Sequence, residues 1–291
     1  MTRLFAVIVA YRPDLAALSA LCSSLAPEAG VIVVDNTEGS GLAEAAVPTA
    51  TAVLALGTNT GIAHAQNVGI DRAFELGAEI VVLFDQDSTV TAGFLGALTR
   101  GLEADTAEVV APRYVDETSG LELPSSVLGW FGWPRPIRSH GRSERYPVDV
   151  VIASGTAATR AALAAAGPLD EGLFIDFVDT DWCLRCRAAG VPIHVVPDAV
   201  MRHRIGSASH DLGAARVLVH SPTRCYYQIR NGFLLFRRPY IPFLFALRET
   251  VGVVVSRVLL LFFVTNKSAY VKAYASAIKD GLAGVTGKRP E

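Results

Sequence analysis

Two aspartates separated by one residue stand in the first third of the chain, directly after a run of apolar residues. The segment reads Val81-Val82-Leu83-Phe84-Asp85-Gln86-Asp87-Ser88. A strand buried on both faces has this apolar composition, and it would deliver both carboxylates at its carboxyl end. Carboxylate oxygens suit Mg²⁺ or Mn²⁺, and such a metal can neutralise the charge of a diphosphate. Asp and Ser also form turns, so the pair alone indicates either a metal site or a solvated turn.

The same aspartates admit a second chemistry. Together with Thr89 and Val90, which follow after Ser88, they match the nucleophile motif of haloacid-dehalogenase-type phosphatases. Asp85 would then attack phosphorus and Asp87 would act as acid and base. Those enzymes usually carry the motif on an early strand and use a later Lys or Arg. Here three predicted strands precede it and no lysine separates it from the next acidic cluster, so Arg160 would have to serve. A phosphohydrolase therefore stays open.

Three further polar groups follow apolar runs or open helices. Asp35 ends a run at residues 31–34, where its carboxylate suits the N3–H of a uracil or thymine base or forms a turn. The loop from Asn59 to Gly69 enters a helix, and the free N–H groups of a helix start suit phosphate or ribose. Asp176, Asp179 and Asp181 lie at another helix start, where the helix dipole favours ionised carboxylates that act as a general base or only cap the helix.

Length, composition and charge exclude several classes of protein. The 291 residues are 51% hydrophobic, which predicts a large core and not a disordered chain. A formal net charge of -2 gives no general drive toward nucleic acid. The four cysteines do not form a disulfide framework, and we interpret Cys183-x-x-Cys186 as helix packing in a reducing compartment. No secretory signal is expected, because the first apolar run is short and lacks a cleavage pattern.

The apolar runs alternate with helical patterns along the chain. Strands are predicted at residues 5–10, 31–34, 53–56, 80–84, 109–111, 150–153 and 193–196. Helices are predicted at residues 14–25, 62–76, 92–102, 159–166 and 180–189. This alternation predicts an α/β fold with a mainly parallel sheet flanked by helices. Ligands of such sheets bind beyond the carboxyl ends of the strands, where the polar groups above are found.

A long loop at residues 114–147 departs from this alternation. It is rich in Gly, Pro, Ser and Arg and carries Trp130, Phe131 and Trp133. The flat indole faces of the tryptophans suit the C–H side of a sugar, which predicts contact with a saccharide acceptor. Anchoring of the loop to the core is the alternative, because tryptophan is usually well buried.

The chain changes character again from residue 236 onward. Charged residues interrupt the apolar stretch at residues 241–264, which argues for membrane contact and against a membrane span. The tail that follows holds all four lysines of the chain and an apolar set at helical spacing: Val271, Tyr274, Ile278 and Leu282. This helix is expected either to lie on an anionic membrane surface or to pack on the domain.

Seven short motifs occur in one order from the first predicted strand onward. They are Val7-Ile8-Val9-Ala10-Tyr11-Arg12-Pro13-Asp14, Val33-Val34-Asp35-Asn36, Asn59-Thr60-Gly61-Ile62-Ala63, Asp85-Gln86-Asp87-Ser88, Ser154-Gly155, Phe177-Val178-Asp179-Thr180-Asp181-Trp182-Cys183-Leu184-Arg185 and His203-Arg204-Ile205-Gly206. In this order they resemble bacterial family 2 glycosyltransferases, most closely the rhamnosyltransferase branch that acts in cell-surface polysaccharide assembly. The likeness extends to Arg230-Asn231 and covers most of the chain.

From their composition, residues 236–291 are expected to form a C-terminal helical region that either contacts the membrane peripherally or packs on the domain. The resemblance implies a GT-A fold for residues 1–235 and an inverting transferase at the inner face of the cell membrane, which moves L-rhamnose from dTDP-rhamnose to a glycan or lipid-linked glycan. A UDP-sugar donor such as UDP-galactofuranose is the alternative. A second alternative, to the activity itself, is a module that binds a nucleotide sugar without catalysis. No nucleic-acid partner is implied.

The resemblance also assigns residues. Asp179 is the implied catalytic base, with Asp176 and Asp181 as alternatives because Val178 stands where many relatives have Glu. The implied ligands of Mg²⁺ or Mn²⁺ are Asp85, Asp87 and His203. Trp182 joins Trp130 and Trp133 on the acceptor side. The donor is expected to contact Ala10, Tyr11, Asp35, Asn59, Gly61, Asn67, Asp85, Gln86, Ser154 and Gly155. Arg12 stands where Asn is frequent, which puts part of the donor contacts in question.

Overall fold

A computed structural model describes residues 3–39, 41–117, 119–203, 209–211 and 216–289, with side chains left out at residues 203, 209–211 and 216–218. The strands are β1 Leu4–Ala10, β2 Gly30–Asp35, β3 Ala52–Ala55, β4 Ile80–Asp85, β5 Val109–Asp116, β6 Glu122–Leu123, β7 Ser125–Leu128, β8 Pro134–Ile137, β9 Tyr146–Val148, β10 Ala157–Thr159, β11 Ile193–His203, β12 Ser209–Asp211 and β13 Arg216–Leu218. The helices are α1 Leu15–Leu25, α2 Ile62–Glu75, α3 Phe94–Leu98, α4 Arg160–Ala166, α5 Val178–Ala188, α6 Pro222–Leu235, α7 Phe243–Leu260 and α8 Lys267–Ala283.

The central sheet has the strand order β3-β2-β1-β4-β10-β5-β11-β9, with β6 beside β5. The first four strands in this order are parallel, and β11 is parallel to β5. The short strand β10 runs antiparallel to both of its neighbours, and β9 is an antiparallel edge. The predicted α/β class with a mainly parallel sheet flanked by helices is therefore confirmed.

Burial on both faces explains why the strands are continuous apolar runs. Alternate residues of β1 face opposite layers: Val7 and Val9 pack with α2, whereas Ala6 and Ile8 pack with α1 and α3. This is the pattern of a sheet covered by helices on both sides. Cys183 and Cys186 are buried, in agreement with their predicted packing role.

Several predicted element bounds were wrong. Residues 150–153 are not a strand, because the chain instead loops toward Gly155 at a φ of +78°, a left-handed conformation that ends extended pairing. The helix expected at residues 92–102 is reduced to α3, which starts after Gly93 at a φ of +78°. The strand expected at residues 193–196 continues to His203 past an irregularity after Val196. The loop at residues 114–147 contains the β7–β8 hairpin.

The region after residue 235 is helical and packs on α6. Thr250 of α7 donates a hydrogen bond to the carbonyl of Gly232, and Tyr226 of α6 donates one to Asp280 of α8. Among the described residues, no helix is long and apolar enough to cross a membrane. On α8 the predicted apolar set is divided: Tyr274 is buried, and its hydroxyl donates to the carbonyl of Arg257, whereas Val271, Ile278 and Leu282 are exposed.

Candidate active site

The carboxyl ends of three adjacent strands bring the predicted donor residues together. In the sheet register Ala10 lies opposite Asp35, and Val9 lies opposite Asp85. The amide of Gln86 joins two of these ends: its Oε1 accepts the backbone N–H of Tyr11 at 2.6 Å, and its Nε2 donates to the Tyr11 carbonyl at 3.1 Å. Gln86 thus fixes the backbone after β4 to the backbone after β1.

The turn that carries the two aspartates is held by serine hydroxyls. The backbone N–H of Asp85 donates to Ser154 Oγ at 3.0 Å, and this oxygen lies 2.7 Å from Ser88 Oγ. Asp85 is partly buried and Asp87 is exposed. Thr89 forms a bridge with Arg202, so the turn lies beside the end of β11.

His203 is the residue after Arg202, so its backbone continues along the same strand end. The side chain of His203 lies outside the described residues. In the part of the chain that is described, no three His, Cys, Asp or Glu side chains form a cluster that would hold a metal. The two carboxylates and the backbone of the third expected ligand nevertheless meet at one edge of the sheet.

Gly155 follows Ser154 and fits a confined place. Its N–H donates to the Leu83 carbonyl at 2.7 Å. A Cβ at this position would lie 2.6 Å from Met201 Sδ and 2.9 Å from Pro112 Cγ. Glycine is therefore required by both the backbone conformation and the available space, which places Ser154 under the β4 turn.

Asp35 is almost fully buried and binds its own loop. Its Oδ1 accepts the N–H of Thr37 at 3.1 Å, and its Oδ2 accepts the N–H of Leu42 at 2.9 Å. The next residue, Asn36, was not among the predicted site residues. Its Oδ1 accepts the N–H of Thr60 at 2.8 Å, and its Nδ2 donates to the carbonyl of Gly61 at 3.2 Å. Asn36 therefore orders the loop that leads into α2.

The loop before α2 packs against the segment before α5. Asn59 Oδ1 accepts the N–H of Gly61 at 3.0 Å, and Gly61 has a φ of +91°. A Cβ on Gly61 would lie 2.6 Å from the carbonyl oxygen of Phe174, which accepts the N–H of Ile62. The first turn of α2 is thereby fixed to the chain that leads to the acidic cluster.

The side chain of Asn67 makes three hydrogen bonds with residues 169 and 171. Its Nδ2 donates to the Leu169 carbonyl and to Glu171 Oε1, and its Oδ1 accepts the N–H of Leu169. Asn67 thus fastens α2 to the segment after α4. These bonds give it a supporting role in the fold, and the expected donor contact of Asn67 stays a prediction.

Two of the three aspartates near the start of α5 are engaged by arginines. Asp181 is fully buried; its Oδ2 accepts Arg185 Nε at 3.0 Å and its Oδ1 accepts the hydroxyl of Tyr240 at 2.7 Å. Asp176 accepts two guanidinium nitrogens of Arg224, at 3.0 and 3.1 Å. A carboxylate held in this way is a poor candidate for a base that must take a proton from substrate.

Asp179 differs from both neighbours. Its Oδ1 accepts the backbone N–H of Thr180 at 2.7 Å, and the residue is partly exposed. Burial of the carboxyl raises the pKa of Asp179, against the lowering effects of hydrogen bonds from the backbone of Thr180 and of Ala153. A raised pKa makes this carboxylate a stronger base. Because Ala153 precedes Ser154, one segment contacts both the base candidate and the turn after β4.

The buried hydroxyl of Tyr114 responds to the charges of both Asp179 and Asp85. It donates to the carbonyl of Ile152 at 2.9 Å. Burial raises the pKa of Tyr114, and the charges of Asp179 and Asp85 raise it further. The two carboxylates therefore lie within electrostatic reach of a single side chain.

Arg224, in the first turn of α6, was missed by the sequence reasoning. Burial alone would lower its pKa, but the hydrogen-bonded carboxylate of Asp176 and the charge of Asp85 raise it. Its side chain keeps 45% exposure, so a cation faces solvent beside the aspartates. Nothing in the sequence indicated a role for Arg224, because α6 was not among the predicted helices and Arg224 lies far along the chain from most of the other motifs.

The tryptophans expected on the acceptor side differ in exposure. Trp130 is 85% exposed and Trp133 is 50% exposed, both after the β7 strand of the hairpin. Trp182 is buried, and its indole N–H donates to the Gly167 carbonyl at 3.0 Å. Trp182 belongs to the core, and we do not retain it as an acceptor residue.

The phosphatase alternative required Arg160 beside Asp85. Arg160 instead follows β10, whose Thr159 pairs with Ile80 at the far end of β4. Its guanidinium donates to the carbonyls of Ala78 and Phe74. It therefore lies at the opposite end of the strand from the aspartates and cannot be the cation that the phosphohydrolase interpretation assigned to it.

Comparison with known proteins identifies relatives over nearly the whole chain. No family model matches. The dTDP-rhamnosyl transferase RfbF of Shigella flexneri is 35% identical over 288 residues, which are 98% of this chain and 97% of that protein. Residues 1–349 of TarS of S. aureus, solved with UDP-GlcNAc, match with a TM-score of 0.60 at 14% identity, covering 98% of this chain and 82% of that one.

A second solved structure, GalNAc-T7 with UDP, GalNAc and Mn²⁺, matches with a TM-score of 0.56 at 14% identity. The match covers 78% of this chain and 48% of that one. These two likenesses concern the fold, whereas the 35% identity to the Shigella protein is measured over 98% of this chain. The chain belongs to the family 2 glycosyltransferases of the GT-A fold, in the bacterial rhamnosyltransferase branch.

Proposed function

We propose that this protein is an inverting, metal-dependent transferase that moves L-rhamnose from dTDP-rhamnose to a glycan or a lipid-linked glycan in cell-surface polysaccharide synthesis. The donor is proposed from the relative that is named for dTDP-rhamnosyl transfer. The observation that carries the mechanism is the contrast among three neighbouring aspartates. Two are held by arginines, and Asp179 has a raised pKa and contacts the segment that orders the turn after β4.

In the proposed reaction Asp179 takes the proton of an acceptor hydroxyl. The oxygen of that hydroxyl attacks the anomeric carbon from the face opposite the nucleotide, and the bond from this carbon to the diphosphate oxygen breaks. The sugar is transferred with inversion, the proton stays on Asp179, and the nucleoside diphosphate leaves with the electron pair. One base and a stabilised leaving group suffice for such a displacement.

The donor set after β4 fits a hard divalent cation. Asp85 and Asp87 offer carboxylate oxygens, and His203 would add an imidazole nitrogen, a combination suited to Mn²⁺ or Mg²⁺. When bound, the cation supplies charge neutralisation at the diphosphate. Arg224, half-exposed and close enough to Asp85 for its pKa to respond, adds a second positive group for the same phosphates.

The remaining donor contacts follow from the strand ends. Each oxygen of Asp35 already accepts one backbone N–H, but a carboxylate oxygen has a further lone pair for the N3–H of thymine or uracil. The backbone of Ala10 and Tyr11, fixed by Gln86, and the loop of Asn59 and Gly61 surround the same end of the sheet.

On the acceptor side we retain Trp133, whose half-exposed ring has the guanidinium of Arg248 at 5.8 Å from its centroid. An indole held by a cation on one face can stack on the C–H side of a sugar with the other. We further propose that the protein works peripherally at the inner face of the cell membrane, where a lipid-linked glycan would be available.

A thermal-shift panel of nucleotide sugars with and without Mn²⁺ or Mg²⁺ tests the donor assignment. A ligand that binds only the folded state stabilises it by about 2.7 kcal/mol at a concentration of 100 Kd. We expect dTDP-rhamnose to give the largest shift, and only with the metal present. If UDP-galactofuranose gave the larger thermal shift, the alternative donor would be favoured over dTDP-rhamnose.

Asp87→Asn is the matched variant for the metal, with Asp105→Asn, another exposed aspartate, as control. We expect the first to lose the metal-dependent part of the shift and the second to keep it. Equal shifts with and without metal in the unmodified protein would contradict the proposed metal site.

A further inference from the structure

One side of α7 carries a continuous row of exposed apolar side chains. We call it the α7 stripe: Phe243, Leu247, Val251, Val255 and Val258 on α7, followed by Phe262 in the turn after the helix. Spacings of three and four residues place the five helical members on one face of α7. The exposed fractions range from 40% at Leu247 to 74% at Phe262. Phe245, Ala246 and Thr250 of the same helix are buried against the domain.

Two aromatic residues extend this row at the start of α7. The turn of the β7–β8 hairpin contacts Pro242, because a Cβ on Gly132 would lie 2.1 Å from the Pro242 Cβ. On this turn Trp130 is 85% exposed and Phe131 is 76% exposed. Phe131 has a φ of +59°, an unfavourable backbone conformation for an aromatic residue. The turn thus presents two large apolar rings to solvent despite backbone strain.

Positive charge is concentrated in the C-terminal part of the chain, and this distribution favours contact with an anionic surface. Residues 236–291 contain nine basic and three acidic residues, a formal charge of +6, whereas the whole chain carries -2. All four lysines lie in this region, and all four are exposed: Lys267, Lys272, Lys279 and Lys288. A basic segment that follows an amphipathic helix in the chain is typical of regions that bind anionic lipid.

We propose that the α7 stripe, together with Trp130 and Phe131, is a lipid-docking face that inserts into the interfacial region of an anionic bilayer. Its aliphatic and phenylalanine side chains would enter the boundary of headgroups and acyl chains, and Trp130 would lie at headgroup depth, where tryptophan is enriched. A second copy of the chain is disfavoured as the occupant. A two-fold contact through this face would bring two regions of charge +6 together.

The lipid-docking face is coupled to the helix that carries the base. Tyr240, three residues before α7, donates to Asp181, which lies two residues after Asp179 on α5. Docking would therefore hold the acceptor side of the site near the bilayer surface. This consequence for the acceptor rests on the proposed function, whereas lipid binding itself does not.

Vesicle co-sedimentation of the full chain, without donor or acceptor, tests the proposal. The vesicles are phosphatidylcholine alone, or phosphatidylcholine mixed with an equal amount of phosphatidylglycerol. The test variant is Val251→Asp/Val255→Asp. The matched control is Leu15→Asp/Leu121→Asp, which makes the same charge change at exposed apolar positions off α7. Circular dichroism and thermal unfolding verify that both variants fold.

We expect the unmodified chain and the control to bind the vesicles that contain phosphatidylglycerol. Binding of the test variant should fall by at least about tenfold, because two valines no longer bury apolar surface in lipid. No binding by the unmodified chain, or equal binding by both variants, would overturn the proposal. A dimer that only the test variant breaks, without vesicle binding, would assign the face to a second copy and overturn it as well.

Hydrolysis of the donor in the absence of membranes separates this proposal from the proposed function. The test variant should keep that activity while losing lipid binding. Vesicle binding by a protein that uses none of the nucleotide sugars would leave the lipid-docking face intact and refute the proposed function alone.

Discussion

Neutralising two carboxylates that lie two residues apart on α5 should have opposite effects on stability. Asp181 is fully buried and accepts hydrogen bonds from Arg185 and Tyr240, whereas Asp179 is partly exposed. Asp181→Asn removes the negative charge that balances two arginines. These are Arg185 and Arg238, and the Nε of Arg238 lies 3.7 Å from Asp181 Oδ1. Both cations would then remain beside a neutral amide.

The expected loss follows from these contacts. Breaking a buried ion pair by removing one partner costs about 3–5 kcal/mol. The lower end applies here, because Arg185 also donates to the carbonyls of Ala166 and Pro168, and Arg238 also pairs with Asp170. A loss of about 3 kcal/mol in the free energy of unfolding corresponds to roughly 6–12 °C in Tm for a chain of this size class.

Thermal and urea unfolding of both variants at neutral pH measures the contrast. Asp179→Asn should unfold at the same temperature as the unmodified protein or higher. Because the folded-state pKa of Asp179 is raised, its ionised form disfavours folding above that pKa, and asparagine removes the penalty. The advantage should vanish in acid, where Asp179 is protonated in both states. If the two variants unfolded together, or if Asp181→Asn were as stable as the unmodified protein, the distinction between the two aspartates would be refuted.

Three further outcomes follow from the site. Ser154→Ala should lower kcat/KM by about tenfold in steady-state assays with intact folding, because the N–H of Asp85 loses its acceptor; unchanged kinetics would contradict this. Gly61→Ala should lower the free energy of unfolding by about 2 kcal/mol or more in urea titration, because its Cβ would meet the Phe174 carbonyl at a positive φ; equal stability would count against it. The acid limb of the pH profile of kcat/KM should lie above the usual aspartate range, with activity rising as Asp179 deprotonates through its raised pKa; a limb at the ordinary value would speak against this base.

Much of the strand arrangement could be predicted because buried parallel strands leave a simple pattern. Uninterrupted apolar runs mark β1, β2 and β4, and the polar residues that follow these runs lie together at the carboxyl ends of the strands. The short strand β10 could not be found in this way. Ala157–Thr159 is too short to show a period, and its antiparallel direction depends on the turn at Gly155.

The hairpin β7–β8 was hidden for a related reason. Pro134–Ile137 contains two prolines and an arginine, a composition that indicates a loop. The strand exists because it is one edge of a two-stranded sheet, where prolines at suitable positions do not interrupt pairing.

Residue type did not separate the three aspartates of the acidic cluster. The positions of Asp179 and Asp181 on α5 differ by about 200° around the helix axis, so one faces the core and the other the site. That difference appears only when Arg185 and Tyr240 are brought against Asp181 from elsewhere in the chain. The hydrogen bonds of Asn67 to Leu169 and of Trp182 to Gly167 could not be predicted for the same reason, because the fold supplies these partners.

The most direct test of the proposed mechanism compares donor binding with turnover in Asp179→Asn. Binding of dTDP-rhamnose with Mn²⁺ is measured by calorimetry, and sugar transfer or donor hydrolysis is measured on the same preparation. We predict a Kd within about threefold of the unmodified protein and a turnover lower by at least about 100-fold, the range expected for loss of a general base. Full turnover by Asp179→Asn would contradict the assignment of this carboxylate as the base.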